Sequence, residues 1–127
     1  MTQEEIQLLL KDLCARLPYG VKCFAEDSEY GDVGVVYSVD PFEKVDPNIY
    51  IQYYKGNVMS FFTSEVRPYL RPMSSMTEEE QLEYGSFDGL AKCMDWLNAH
   101  HFDYRGLIEK GLAIAVTKEN NPYERTD

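Results

Sequence analysis

Basic charge is scarce in this chain, with 12 Lys and Arg against 22 Asp and Glu and a formal charge of −10. Such a surface repels phosphate backbones and anionic headgroups, so direct binding to nucleic acid or to a membrane surface is disfavoured, and a basic protein is the easier partner. Long apolar runs are missing too, and none approaches the roughly 18 residues of a membrane span. The opening MTQEEIQLLLKDLC has acids where a signal peptide has a basic region, so a cytoplasmic protein is expected. Cysteine is sparse: Cys14, Cys23 and Cys93 are an odd number at irregular spacing. That matches neither a disulfide framework nor a metal knuckle, and the three are read as reduced core residues. The phosphate-cradling, dinucleotide, zincin and nucleophile-elbow signatures are all absent, which leaves most cofactor-binding classes without support, and no cofactor is expected.

What remains is one domain of common size, 127 residues at 44% hydrophobic and 13% aromatic, ample for a single core. Thr2 with Glu5 is a capping box, and Ile6, Leu9, Leu10, Leu13 and Leu17 recur on one face of the helix it opens, which Pro18 and Gly20 end. From Val21 to Thr63 the period changes to two. Four strands are expected, about Val21 to Glu26, Val33 to Val39, Asn48 to Tyr54 and Val58 to Thr63, paired as hairpins through DSEYGD and KGN and joined by the loop DPFEKVDP. In EVRPYLRPMSSMTEEE, Pro68 and Pro72 forbid a regular helix and predict a surface wrap. Thr77 with Glu80 caps a short helix closed by Gly85, and Ser86 caps a further one with Phe87, Leu90, Met94 and Leu97 as its stripe. The expected architecture is a single α+β domain over 1–127: an antiparallel sheet of about four strands against the N-terminal helix and the 86–100 helix, with a flexible tail from about 119.

The segments RPYLRPMSSMTEEE and WLNAHHFDYRGLIEKGLAI resemble a recurring pair of motifs in short hypothetical proteins of gut anaerobic bacteria and their phages or prophages. Some of these share the opening MTQEEIQLLLKDLCARLPYGVK. The resemblance covers the two ends and the linker, and leaves out the strand region from Phe24 to Thr63. It implies a bacterial or mobile-element cytosolic setting, and carries no activity, cofactor or residue role to this chain.

Both histidines lie in WLNAHHFDYRG. His100, His101 and Asp103 are donor types for zinc or iron, and they centre the reading of the chain as a small hydrolase or metal-dependent enzyme. Adjacent helical residues project about 100° apart, however, and no second histidine cluster supplies further ligands. The competing reading is structural: a histidine near the helix C-terminus answers free carbonyls, and Asp103 caps a last turn through Ile108, closed by Gly111. A Cys93 thiolate with His100 as base would span about 10 Å of helix, too far for proton transfer. The acids Glu26, Asp27, Glu29 and Asp32 read as a solvated turn, with spacing unlike a calcium loop. Tyr50, Tyr53 and Tyr54, with Phe61 and Phe62, would suit base stacking if basic residues accompanied them; without these they read as an interface. The leading expectation is a non-enzymatic interaction or regulatory protein with an acidic, tyrosine-rich surface, no metal and no cofactor, and self-association left open.

Overall fold

The computed structural model describes residues 1–26, 28–31, 33–40 and 45–124, without the side chain of Lys55. Parts of the DSEYGD and DPFEKVDP loops, namely residues 27, 32 and 41–44, therefore lie outside the described residues, as does the end of the tail, 125–127.

The first helix, α1 (Gln3–Arg16), opens with the expected capping box: the Glu5 amide donates to Thr2 Oγ1 and the Thr2 amide donates to Glu5 Oε1. A 3-10 turn over Leu17–Tyr19 and a left-handed Gly20 end it, so the proline and glycine act as stop signals. The strands β1 (Lys22–Ala25), β2 (Gly34–Val39), β3 (Asn48–Gln52) and β4 (Val58–Phe62) follow at the expected positions. β1 and β2, β2 and β3, and β3 and β4 pair antiparallel, with a bulge at Tyr37 between Val36 and Ser38.

The sheet is larger than four antiparallel strands. Val66–Pro72, expected to wrap the surface, is a fifth strand, β5, antiparallel to β1 and buried at Val66, Pro68, Tyr69 and Leu70. Its prolines sit where a sheet tolerates them. The Glu26 amide donates to the Glu65 carbonyl, and pairs alternate in an antiparallel ladder. Pro68, opposite Cys23, therefore falls at a pair that exchanges no hydrogen bonds, while Pro72 is the last residue of the strand. Two-residue strands β6 (Phe102–Asp103) and β7 (Ile114–Ala115) run parallel to the later half of β5. The sheet is thus mixed, with β4-β3-β2-β1-β5-β6 in order and β7 also on β5.

The short helix α2 (Glu78–Gly85) carries its own capping box from Thr77 and Glu80. The next helix begins four residues later than Ser86: α3 (Leu90–Ala99) starts after Gly89, and Ser86 closes α2 instead. Leu90, expected in the buried stripe, is 77% exposed; Trp96 and Leu97 supply the buried contacts. Of the cysteines only Cys23 is core; Cys14 is exposed and Cys93 half-buried. No helix among the described residues is long and apolar enough to cross a membrane.

The main core forms between α1 and one sheet face, where Leu9 and Leu13 meet Val21, Cys23, Ala25, Val36, Ile49, Ile51, Phe61 and Leu70. Each such aliphatic side chain contributes about 1.5–3 kcal/mol when fully buried. Gly34 marks the tightest approach: a Cβ there would lie 2.3 Å from Ile51 Cγ2 and 2.9 Å from Tyr53 Cε1. Gly34→Ala is expected to overpack this point and lower stability by about 1–3 kcal/mol, read as a lower urea midpoint at unchanged slope. An unchanged midpoint would contradict the packing described.

Candidate functional site

Two regions bear on function: the histidine motif and the sheet face turned away from α1.

In the motif, α3 ends at Ala99 and the chain reverses through His101, which holds a positive φ of 64°. Non-glycine residues enter this region rarely, histidine among the more tolerant. The reversal lets the His101 carbonyl accept from the Arg71 amide at 2.7 Å, which starts β6. Asp103 then accepts from the Leu107 and Ile108 amides at 3.0 and 2.9 Å, the cap expected from sequence. Both its oxygens are engaged. The His100 ring lies against Trp96 with centroids 4.3 Å apart, while His101 stacks on Tyr123 at 3.8 Å and 10°. Among the described residues no group of three His, Cys, Asp or Glu is placed to hold a metal ion.

Beneath the motif lies a buried polar network that the sequence reading missed. Asp12 and Arg16, both fully buried on α1, pair at 2.8 Å. Arg16 Nη2 also donates to the Phe102 carbonyl, and Arg105 Nη1 donates to Asp12 at 2.9 Å and to the Tyr104 hydroxyl at 2.8 Å. That hydroxyl donates to Asn98 Oδ1 at 2.8 Å. The signal was present in the spacing, since Asp12 and Arg16 lie three residues beyond Leu9 and Leu13 on the same helical face.

A groove of about 840 Å³ opens beside the motif, lined by Arg71, Thr77, Glu80, His101, Lys118 and Tyr123 among others. Two of its ionisable groups, Glu80 and His101, are held away from neutral pH. Arg71 grips Glu80 with two 2.7 Å bonds, and this guanidinium, against the opposing effect of burial, holds the carboxyl down at about 2. Burial, then the charge of Arg16, lowers His101 to about 4. A general acid or base works best near the ambient pH, and neither group is there.

The tail also differs from expectation. Tyr123, in the stretch read as flexible, places its hydroxyl where β1 and β5 separate. It accepts from the Lys22 amide at 3.0 Å and donates to the Tyr69 carbonyl at 2.7 Å, so the hydroxyl replaces the ladder bond that the register would put between Lys22 and Tyr69. Lys22 Nζ in turn donates to the Pro122 carbonyl at 2.8 Å.

The three tyrosines expected to form one surface are separated. Tyr53 is 4% exposed and belongs to the core, filling the space that Gly34 leaves, whereas Tyr54 is 83% exposed on a 3-10 turn and Tyr50 is half-buried. An aromatic row exists nonetheless, from other residues. Strand alternation puts Phe62, Ser60 and Val58 of β4 on the face away from α1, opposite Asn48, Tyr50 and Gln52 of β3. Tyr37, the extra residue at the β2 bulge, is 59% exposed, and Phe62 is 52% exposed. Val35 and Phe24 continue the face half-buried, and the Arg67 and Glu26 pair at 3.9 Å lies at its far side.

No protein-family model, curated protein or solved structure matches this chain.

A chain ending at Lys118 loses the Tyr123 bonds and leaves buried backbone groups unpaired, at about 1–3 kcal/mol for each group. It is expected to melt several degrees below the full chain, and Tyr123→Phe should reproduce much of the loss. Melting within about a degree of the full chain would show that the docked hydroxyl carries no stability.

Proposed function

We propose that this is a non-enzymatic interaction or regulatory protein, of a bacterium or its mobile elements, that binds a basic protein through its outer sheet face. The observation that supports this reading is the row of Tyr37, Tyr50, Val58 and Phe62 on the face away from α1. Solvated faces of antiparallel sheets are ordinarily polar. Here rigid aromatic side chains, which suit interface cores, stay in solvent. The charge of −10 adds long-range attraction for a basic partner, effective within a Debye length of about 8 Å at physiological salt.

The enzyme reading centred on His100, His101 and Asp103 receives less support from the site. Asp103 is committed to the Leu107 and Ile108 amides, His101 is stacked under Tyr123, and the groove's Glu80 is held by Arg71.

The test is capture from bacterial lysate by the immobilised protein at low and at high salt, beside the variant Tyr37→Ser/Phe62→Ser. The wild type is expected to retain a basic protein at low salt, to lose most of it at high salt, and to retain at least about tenfold more than the variant, whose melting temperature stays within a few degrees. Equal capture by wild type and variant, or micromolar binding to plain duplex DNA, would contradict the proposal.

A further inference from the structure

We propose that β4 is the joint between two copies of this chain, an antiparallel edge-to-edge pairing with its twofold axis at Met59. This joint uses the edge of the sheet rather than the outer face, so it stands independently of the partner proposed above.

β4 is the end strand, and among the described residues no strand covers its far side. The bonds on its inner side fix which groups point outward. The Tyr53 amide donates to the Asn57 carbonyl at 2.7 Å and the Thr63 amide to the Pro47 carbonyl at 2.9 Å. The odd-numbered residues 57 to 63 therefore exchange with β3, and the amides and carbonyls of Val58, Ser60 and Phe62 face the open edge. Of these amides, that of Phe62 is already taken by Glu65 Oε1 at 2.9 Å. Val58 and Ser60 keep both groups for an incoming strand.

The strand itself, VMSFF, has no charge, no proline and no bulge, so it lacks the devices that blunt an edge. Only even-numbered residues can exchange hydrogen bonds across this edge, which leaves three twofold registers near the middle of the strand. With the axis at Ser60, Val58 faces the other copy's Phe62, whose amide would have to leave Glu65. With the axis at Val58, Ser60 faces Gly56, whose amide is held by the Tyr53 carbonyl at 3.0 Å in a 3-10 turn. With the axis at Met59, Val58 faces Ser60 twice. Four main-chain hydrogen bonds then use all the free groups of both residues, and the Glu65 cap stays intact.

The same register argues for a second copy rather than a foreign strand, because the flanks complement each other. Phe62 falls opposite the other copy's Gly56, where φ is 84° and the nearest heavy atom to a Cβ would be 4.0 Å away. Just before the strand, this glycine offers no side chain to obstruct the ring, which can lie over the turn without displacing the Gly56 amide from Tyr53. The pairing would carry the row of Tyr37, Tyr50, Val58 and Phe62 across both copies as one face.

Two measurements test this. In a chain with Cys14→Ser and Cys93→Ser, which keeps only the buried Cys23, one further cysteine is added by Met59→Cys or by Ser60→Cys. At the axis, two copies of residue 59 form a non-hydrogen-bonded pair with Cα atoms about 4.5 Å apart, within disulfide reach, while the two copies of residue 60 are offset by two positions. Mild oxidation is expected to link Met59→Cys into a covalent dimer and to leave Ser60→Cys unlinked. The reverse order would overturn the register. Because Met59 also packs on the core, sedimentation of the unmodified chain gives a second reading. Each copy carries −10, so screening should strengthen the dimer as salt rises, the opposite of a basic partner's behaviour. Val58→Lys/Ser60→Lys sets lysine opposite lysine and should weaken the dimer at least about tenfold at an unchanged melting temperature. A monomer at millimolar concentration in high salt, or a variant that dimerises as well as the wild type, would overturn the proposal.

Discussion

A guanidinium with no exposed surface organises this molecule. Arg16 lies on the same face of α1 as Leu9 and Leu13, where a sequence pattern of this kind ordinarily places apolar residues. Asp12 neutralises it one turn earlier, and the Phe102 carbonyl accepts a further hydrogen bond from across the molecule. Breaking such a buried pair by removing one partner typically costs about 3–5 kcal/mol, because the other charge is left without compensation. That constraint fixes where β6 can lie. It therefore also fixes the reversal at His101, the pairing of β6 with β5, and the turn that Asp103 caps. Arg105 and Tyr104 extend the network, with the Tyr104 ring 5.2 Å from the Arg16 guanidinium and 4.7 Å from that of Arg105. The motif that looks most like chemistry in the sequence is, on this account, the clasp between the N-terminal helix and the far side of the sheet.

This arrangement separates the rigid part of the protein from the surface left for partners. At the clasp, histidine, aspartate, tyrosine and arginine side chains are stacked or hydrogen-bonded to each other and to the backbone. Around β2, β3 and β4 the outward residues meet solvent as an aromatic row, on a ladder whose last edge is open. Side chains tied to one another and to the backbone in this way order a fold even where Arg16 Nη1 and His101 Nδ1 find no hydrogen-bond partner, whereas exposed apolar rows and unpaired edges invite contact. The functional proposal follows from that contrast.

Much of the architecture is legible in the residues. Thr2 with Glu5 and Thr77 with Glu80 form the capping boxes their spacing announces, and the period-two stretch from Val21 to Thr63 contains the first four strands in place. What escapes has identifiable causes. β5 was hidden by Pro68 and Pro72, whose harm depends on which pairs of the ladder exchange hydrogen bonds, a property of register rather than of composition. β6 and β7 are two residues long, too short for any period to show. Tyr53 goes inward because Gly34 leaves room for its ring, and Tyr37 comes outward at a bulge; both are set by the neighbouring strand. Tyr123 could not be read from its polar surroundings, since the gap between β1 and β5 that receives its hydroxyl is a tertiary feature.

With only two histidines in the chain, a proton NMR titration of the imidazoles is the most direct test of the clasp. His101 is half-buried beside the charge of Arg16, and both effects disfavour the imidazolium, which lowers its pKa to about 4. The account predicts one imidazole that stays neutral down to about that pH and shifts upward when the fold is lost. Titration of His101 near the ordinary histidine value of about 6.5 would mean that it is solvated and free, and would contradict the structural role assigned to WLNAHHFDYRG.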